Sequence, residues 1–134
     1  IMKLAHIGFL YKSIEEGLRI WKTQNVRIIK KKIKDDNLKV FCCLIKVNDL
    51  TVEIISPLKS NKILIYKLKN SKKNKPFGFD HLCFYSKNID KDLKKWEAKY
   101  SSKTVIKKTF SKMFKKNIAF LVLKTGLLVE LLEF

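Results

Sequence analysis

Glycine and proline are scarce, with four and two in 134 residues. That excludes collagen-like and linker-rich architectures, which need both in quantity. Cysteine is limited to three residues, of which Cys42 and Cys43 are neighbours in an apolar run. Adjacent strand residues point to opposite faces, and Cys83 is left over, so no disulfide framework is expected and buried thiols in a reducing compartment are. No apolar run approaches the roughly 20 residues of a spanning helix; the longest, Val40–Ile45 and Ile118–Leu123, are strand-sized. A basic-then-apolar leader with a small-residue cleavage site is also missing. A cytoplasmic protein without a membrane partner is expected.

Acidic residues are outnumbered, 12 against 30 basic ones, for a formal charge of +18. Such a balance invites a nucleic-acid reading. Arginine, however, is almost absent: Arg19 and Arg27 stand beside 28 lysines. Arginine is the residue that forks onto guanine edges and phosphates, so a reader of bases should be richer in it. The charge reads instead as a solvated lysine surface that helps attract anionic substrates, and no nucleic-acid partner is expected. At 46% hydrophobic the chain is too apolar to be disordered, and its length suits one compact domain.

What the chain does have is a repeat. Residues 5–21, AHIGFLYKSIEEGLRIW, align without a gap on residues 80–96, DHLCFYSKNIDKDLKKW. His6 matches His81, Phe9 matches Phe84, Lys12 matches Lys87, Ile14 matches Ile89, Leu18 matches Leu93 and Trp21 matches Trp96. Both histidines of the protein thus occupy one repeat position. Farther along, Val52-Glu-Ile-Ile55 resembles Val129-Glu-Leu-Leu132, each following a short turn, Asn48-Asp49 or Thr125-Gly126. An apolar strand precedes each turn, Val40–Val47 or Ile118–Leu123, giving two β-hairpins.

Each half reads as strand, helix, then two or three strands. The first strand covers about Lys3–Tyr11. Ser13 caps the helix with Glu16 as its capping-box partner, and Ile14, Leu18 and Trp21 form one apolar face. Asn88 caps the matching helix, whose face carries Ile89, Leu93 and Trp96. Val26–Ile33 and Lys103–Lys108 read as edge strands, where lysines discourage intermolecular pairing. Lys59–Leu68 reads as a short helix. The polar, lysine-rich stretch Asn70–Pro76 marks the boundary, so the expected organisation is a single domain, 1–134, with module one at 1–58, a connection at 59–76 and module two at 77–134.

Alternation along the strands sets His6 with Leu4, Gly8 and Leu10, His81 with Phe79, Cys83 and Tyr85, Glu53 with Thr51 and Ile55, and Glu130 with Leu128 and Leu132. Four ionisable side chains therefore stand among apolar neighbours on faces expected to be covered. An ionised carboxylate there costs several kcal/mol unless paired. A divalent cation held by two neutral imidazoles and two carboxylates cancels the charge. Such ligands suit zinc, nickel, cobalt, manganese or ferrous iron, with open positions for substrate oxygens. Taken singly, a strand His is more commonly a hydrogen-bonded core residue and a strand Glu solvent-facing. Repeat-equivalent placement of all four favours the metal. Cys83, on the His81 face, reads as a pocket-lining thiol.

The pattern resembles the vicinal oxygen chelate superfamily, which includes lactoylglutathione lyase, methylmalonyl-CoA epimerase, extradiol dioxygenases and bleomycin-resistance proteins. The resemblance covers essentially the whole chain. It implies an α+β fold of tandem βαβββ modules forming a curved mixed sheet, with metal ligands from the first and last strand of each module. Those places fall on His6, Glu53, His81 and Glu130. Val52-Glu-Ile-Ile-Ser-Pro-Leu58 looks most like the epimerase-type branch, in which a proline follows the ligand by four residues. Two departures stand out. Lys39–Val47 lacks the carboxylate that some epimerases carry in the third strand, and Ser111–Lys116 replaces a Gly-rich, Pro-containing stretch before the last hairpin.

The resemblance further implies a metal-dependent isomerase, epimerase or lyase binding one divalent ion (Zn, Ni, Co or Mn). The metal would stabilise an enolate as a proton leaves the carbon beside a carbonyl, with Glu130, or else Glu53, moving the proton. The substrate would be a small molecule such as an acyl thioester, and the protein a homodimer. Lysines near Lys72–Lys75 and Lys112–Lys116 are candidates for a carrier's phosphates, beside the plainer reading of solvated loops. Alternatives are a non-catalytic binder or resistance protein of the same fold, and a dioxygenase, which would leave Glu53 unexplained.

Overall fold

The computed structural model describes residues 2–23, 25–70 and 78–134. Its elements run β1 (Leu4–Leu10), α1 (Ile14–Trp21), β2 (Val26–Asp35), β3 (Val40–Val47), β4 (Leu50–Pro57), α2 (Lys62–Asn70), β5 (Phe79–Ser86), α3 (Ile89–Tyr100), β6 (Lys103–Ser111), β7 (Lys116–Val122) and β8 (Leu128–Glu133). This is the α+β class, two βαβββ modules in tandem with α2 between them. The strands form one mixed sheet in the order β2-β3-β4-β1-β5-β8-β7-β6. Residues 71–77, which hold the end of the expected connection and Lys72–Lys75, lie outside the described residues.

The lysine-rich strands β2 and β6 are the two ends of that order. Both run longer than their apolar pattern indicates, to Asp35 and Ser111. Antiparallel pairing carries them on, since Asp35 still partners Val40 and Ser111 still partners Lys116. Each has register shifts, at Ile28–Ile33 and at Thr104–Thr109, the kind of irregularity that blunts a sheet edge.

The chain divides into two compact units, Ile7–Asp80 and Ile1–His6 with His81–Phe134. Within Ile7–Asp80, β4 runs parallel to β1 and antiparallel to β3. The core is Tyr11, Ile14, Cys43, Ile45, Val47, Val52 and Ile54, with Leu18 and Trp21 of α1 packed on it. The Ser13 hydroxyl accepts from Glu16 N at 3.1 Å, capping α1. Glu16 returns its carboxylate to Lys12 N, also at 3.1 Å, one residue before the cap, which differs from the reciprocal capping box. Gly17 lets α1 lie close to the sheet: a Cβ there would stand 2.6 Å from the Tyr11 ring and 2.7 Å from Ile54. Helix α2 begins at Lys62, later than the pattern suggests, because Asn61 Oδ1 caps it by accepting from Leu64 N at 3.1 Å. Lys67 of α2 forms an ion pair with the buried Asp80.

In the other unit β8 is parallel to β5 and antiparallel to β7. Its core is Ile89, Ala119, Leu121, Val129 and Leu131, with Leu93 and Trp96 of α3 against it. Asn88 Oδ1 caps α3 by accepting from Lys91 N at 3.0 Å. The two units repeat a backbone and an apolar face, but not every contact. Trp21 Nε1 donates to the Tyr11 hydroxyl at 2.9 Å, whereas Trp96 Nε1 donates to Met2 Sδ at 3.3 Å.

Candidate metal centre

Each histidine sits early in a strand whose downstream residues pair in parallel with the glutamate strand of its own repeat. Gly8, two residues after His6 and so on its face, is the register partner of Glu53. Cys83, two residues after His81, is the register partner of Glu130. The same stagger appears twice because the same strand pairing does. All four side chains are buried, with His6 and His81 at 1% exposure, Glu130 at 2% and Glu53 at 6%.

His6, His81 and Glu130 converge. The two Nε2 atoms are 3.2 Å apart, and Glu130 Oε1 is 3.0 Å from each of them. For metal–ligand bonds of about 2.1 Å, cis octahedral donors stand roughly 3.0 Å apart and tetrahedral donors roughly 3.4 Å. The observed separations lie within the span that donors around one ion would take. One oxygen shared between two imidazole nitrogens is a donor set that suits a divalent ion. A wider group adds Glu53: one ligand atom from each of His6, Glu53, His81 and Glu130 falls within 4.8 Å of the others. This buried group could hold a metal.

The electrostatics favour a charged carboxylate. Burial alone pushes Glu130 toward the neutral acid, but the hydrogen bonds and charges of His6 and His81 outweigh it and bring its pKa down to about 2. An ionised Glu130 is therefore part of the site at neutral pH. Burial raises the Cys43 thiol above its ordinary range, and the charge of Glu53 adds to the effect.

Aromatic rings line the imidazoles. Phe114 lies parallel to His6, centroids 5.1 Å apart and 9° from coplanar. Phe120 meets His81 edge-on at 5.2 Å and 83°, and is the register partner of Glu130. Neither ring is among the site residues expected from the sequence. Alternation from Ile118 along β7 could have found Phe120. Phe114 sits in the turn between β6 and β7, where no periodicity points anywhere. Cys83, fully buried on the His81 strand, is not a member of the metal-capable group.

No family model matches this chain, and no curated protein matches it. Its fold does match solved structures. A hypothetical protein, BH1468 from Bacillus halodurans C-125, superposes with a TM-score of 0.80 at 17% identity, covering 99% of this chain and 94% of the other. Methylmalonyl-CoA epimerase from Mycobacterium tuberculosis gives 0.76 at 16% identity, over 97% and 86%. Streptomyces coelicolor methylmalonyl-CoA epimerase, in complex with 2-nitronate-propionyl-CoA, gives 0.79 at 17% identity, over 99% and 97%. Likeness at such identities establishes the glyoxalase-like fold, in which fold and function are separate matters.

Proposed function

We propose that this protein is a metal-dependent enzyme of the glyoxalase superfamily, of epimerase or lactoylglutathione-lyase type, that moves a proton next to the carbonyl of an acyl thioester. The observation that carries the reading is the convergence of His6, His81 and Glu130 within 3.0–3.2 Å in a buried setting. Glu53 is the fourth ligand of this reading, supported by its membership in the buried four-residue group. The ion is zinc, nickel, cobalt or manganese, and when bound it supplies Lewis acidity to the substrate oxygen that gains charge as the proton leaves.

The chain's own groups do the rest. With the ion bound, His6 and His81 would give up the protons whose charge otherwise lowers the Glu130 pKa, and as neutral donors they would leave the two carboxylates to balance a divalent charge in a buried site. Glu130 is ionised at neutral pH and so in the form that accepts a proton. Its contacts to both imidazoles run through Oε1, leaving Oε2 to carry the proton. Glu53 is the other candidate for that role. The ligand of the S. coelicolor structure, an acyl-CoA derivative, supports a thioester as the substrate class. The excess of lysines, 28 in the chain, favours the approach of such an anion. We propose a homodimer acting in the cytoplasm. No described helix is long and apolar enough to cross a membrane.

Elemental analysis of protein purified without chelator, followed by proton–deuterium exchange on a panel of acyl thioesters, tests this reading. One divalent ion per chain and metal-dependent exchange at the carbon beside the carbonyl are expected. Metal-free protein that binds small molecules without exchanging protons would instead identify a sequestering protein on the same fold.

A further inference from the structure

The turn between β6 and β7 is one of two departures from the pattern this chain resembles, and it places an aromatic ring at the site. Ser111 N-terminal to the turn and Lys116 after it are register partners, so the turn is short and its shape fixed. Lys115 takes a left-handed conformation at φ 54°, and Lys115 N donates to the Ser111 carbonyl at 2.8 Å. Phe114 N lies 3.4 Å from the Ser111 hydroxyl, to which it donates. Within that frame Met113 is 3% exposed, and the Phe114 ring lies parallel over His6. On the neighbouring ligand, Phe120 presents its edge to His81. A Gly-rich turn would leave this space open.

We propose that Phe114 is a specificity-determining residue, limiting the size of the substituent that a ligand chelating through two adjacent oxygens can carry beside His6. The inference rests on the metal reading of His6, His81 and Glu130. A ring stacked on a ligand imidazole covers the volume next to the ion on that side. A methyl-sized group passes beneath it, and a phenyl-sized group meets the ring.

The test uses the full chain loaded with cobalt(II), whose visible spectrum reports chelation without turnover. Acetohydroxamate and benzohydroxamate, which offer the same two oxygens with a small and a large substituent, are titrated into wild type and Phe114→Ala. Wild type is expected to prefer acetohydroxamate by about tenfold or more, the scale on which a shaped apolar pocket discriminates. Phe114→Ala is expected to bring the two affinities within about twofold of each other, with cobalt stoichiometry unchanged. Phe114→Leu, which keeps an apolar side chain in the turn, should fall between them and serves if the alanine variant does not fold. Phe110→Ala, on the same hairpin but 53% exposed, should leave the wild-type ratio in place. Cobalt uptake with equal ratios in wild type and both Phe114 variants overturns this proposal alone. Failure of wild type to take up cobalt overturns the metal reading, and this inference with it.

Discussion

The Nε2 atoms of His6 and His81, 75 residues apart in the chain, face one another at 3.2 Å across a shared carboxylate oxygen. A cation accepting a lone pair from each could be held there, with Glu130 as a further donor.

Metal removal should therefore cost stability as well as activity. An ion present at about 1,000 times its Kd adds roughly 4 kcal/mol to a fold that alone can bind it. For a chain of this size that corresponds to roughly 10–15 °C in Tm. Thermal denaturation before and after dialysis against a chelator measures the shift, and restoring zinc, cobalt or manganese to the dialysed protein should reverse it. Equal melting temperatures would show that nothing of consequence binds there.

Glu130→Gln keeps the shape of the side chain and removes its charge. Loss of a mere outer partner of a metal ligand costs about 10- to 100-fold in affinity, so loss of the ligand itself should exceed about 100-fold. Metal content and exchange activity are expected to fall together, and full activity in Glu130→Gln would reject its assigned role. Glu133→Gln is the control, three residues on and bonded to Asn117 at the strand end. It should retain both metal and activity.

Much of this site was legible because two independent periodicities agreed. Alternation placed each His and each Glu among apolar neighbours, and the repeat placed them twice. The α+β fold was legible for the same reason, since Ile14, Leu18 and Trp21 and their counterparts Ile89, Leu93 and Trp96 mark helices that each pack on the core of their own unit. What escaped lies where pattern gives no information. Phe114 is in a turn. Asn61 sets the start of α2 through one side-chain hydrogen bond, against an apolar pattern that permits an earlier start. The last residues of β2 and β6 are held by their hairpin partners rather than by their own composition.

Tyr11 gives the fold a pH dependence on the alkaline side. Burial raises its pKa above 10.0, partly offset by the hydrogen bond from Trp21, with the charge of Glu16 adding to the rise. The unfolded chain therefore loses this proton first as pH increases. Its contribution to stability is complete below the unfolded pKa and disappears as pH climbs through the folded one. Titration of the lysines is common to wild type and Tyr11→Phe, so their difference isolates the effect. Urea unfolding at pH 8 and pH 11 should show wild type losing more stability over that interval than Tyr11→Phe. An equal loss in the two would refute the account.

Gly17→Ala sets two local effects against each other. Alanine is the better helix former, by roughly 1 kcal/mol in a helix interior. The added Cβ, however, would stand 2.6 Å from Tyr11 Cδ2 and 2.7 Å from Ile54 Cγ2. Ile54 is fully buried in β4 and Tyr11 is held by Trp21, so neither can swing away cheaply. Overpacking of this kind costs about 1–3 kcal/mol, which offsets the propensity gain and leaves a net loss of up to about 2 kcal/mol. The equivalent position in the second repeat is Asp92, whose carboxylate accepts from the Ser86 hydroxyl at 2.5 Å, so α3 carries a full side chain where α1 carries none. Denaturant unfolding should place the Gly17→Ala midpoint below wild type with an unchanged m-value. A midpoint above wild type would mean that α1 shifts outward at little cost, and that Gly17 is not what sets its distance from the sheet.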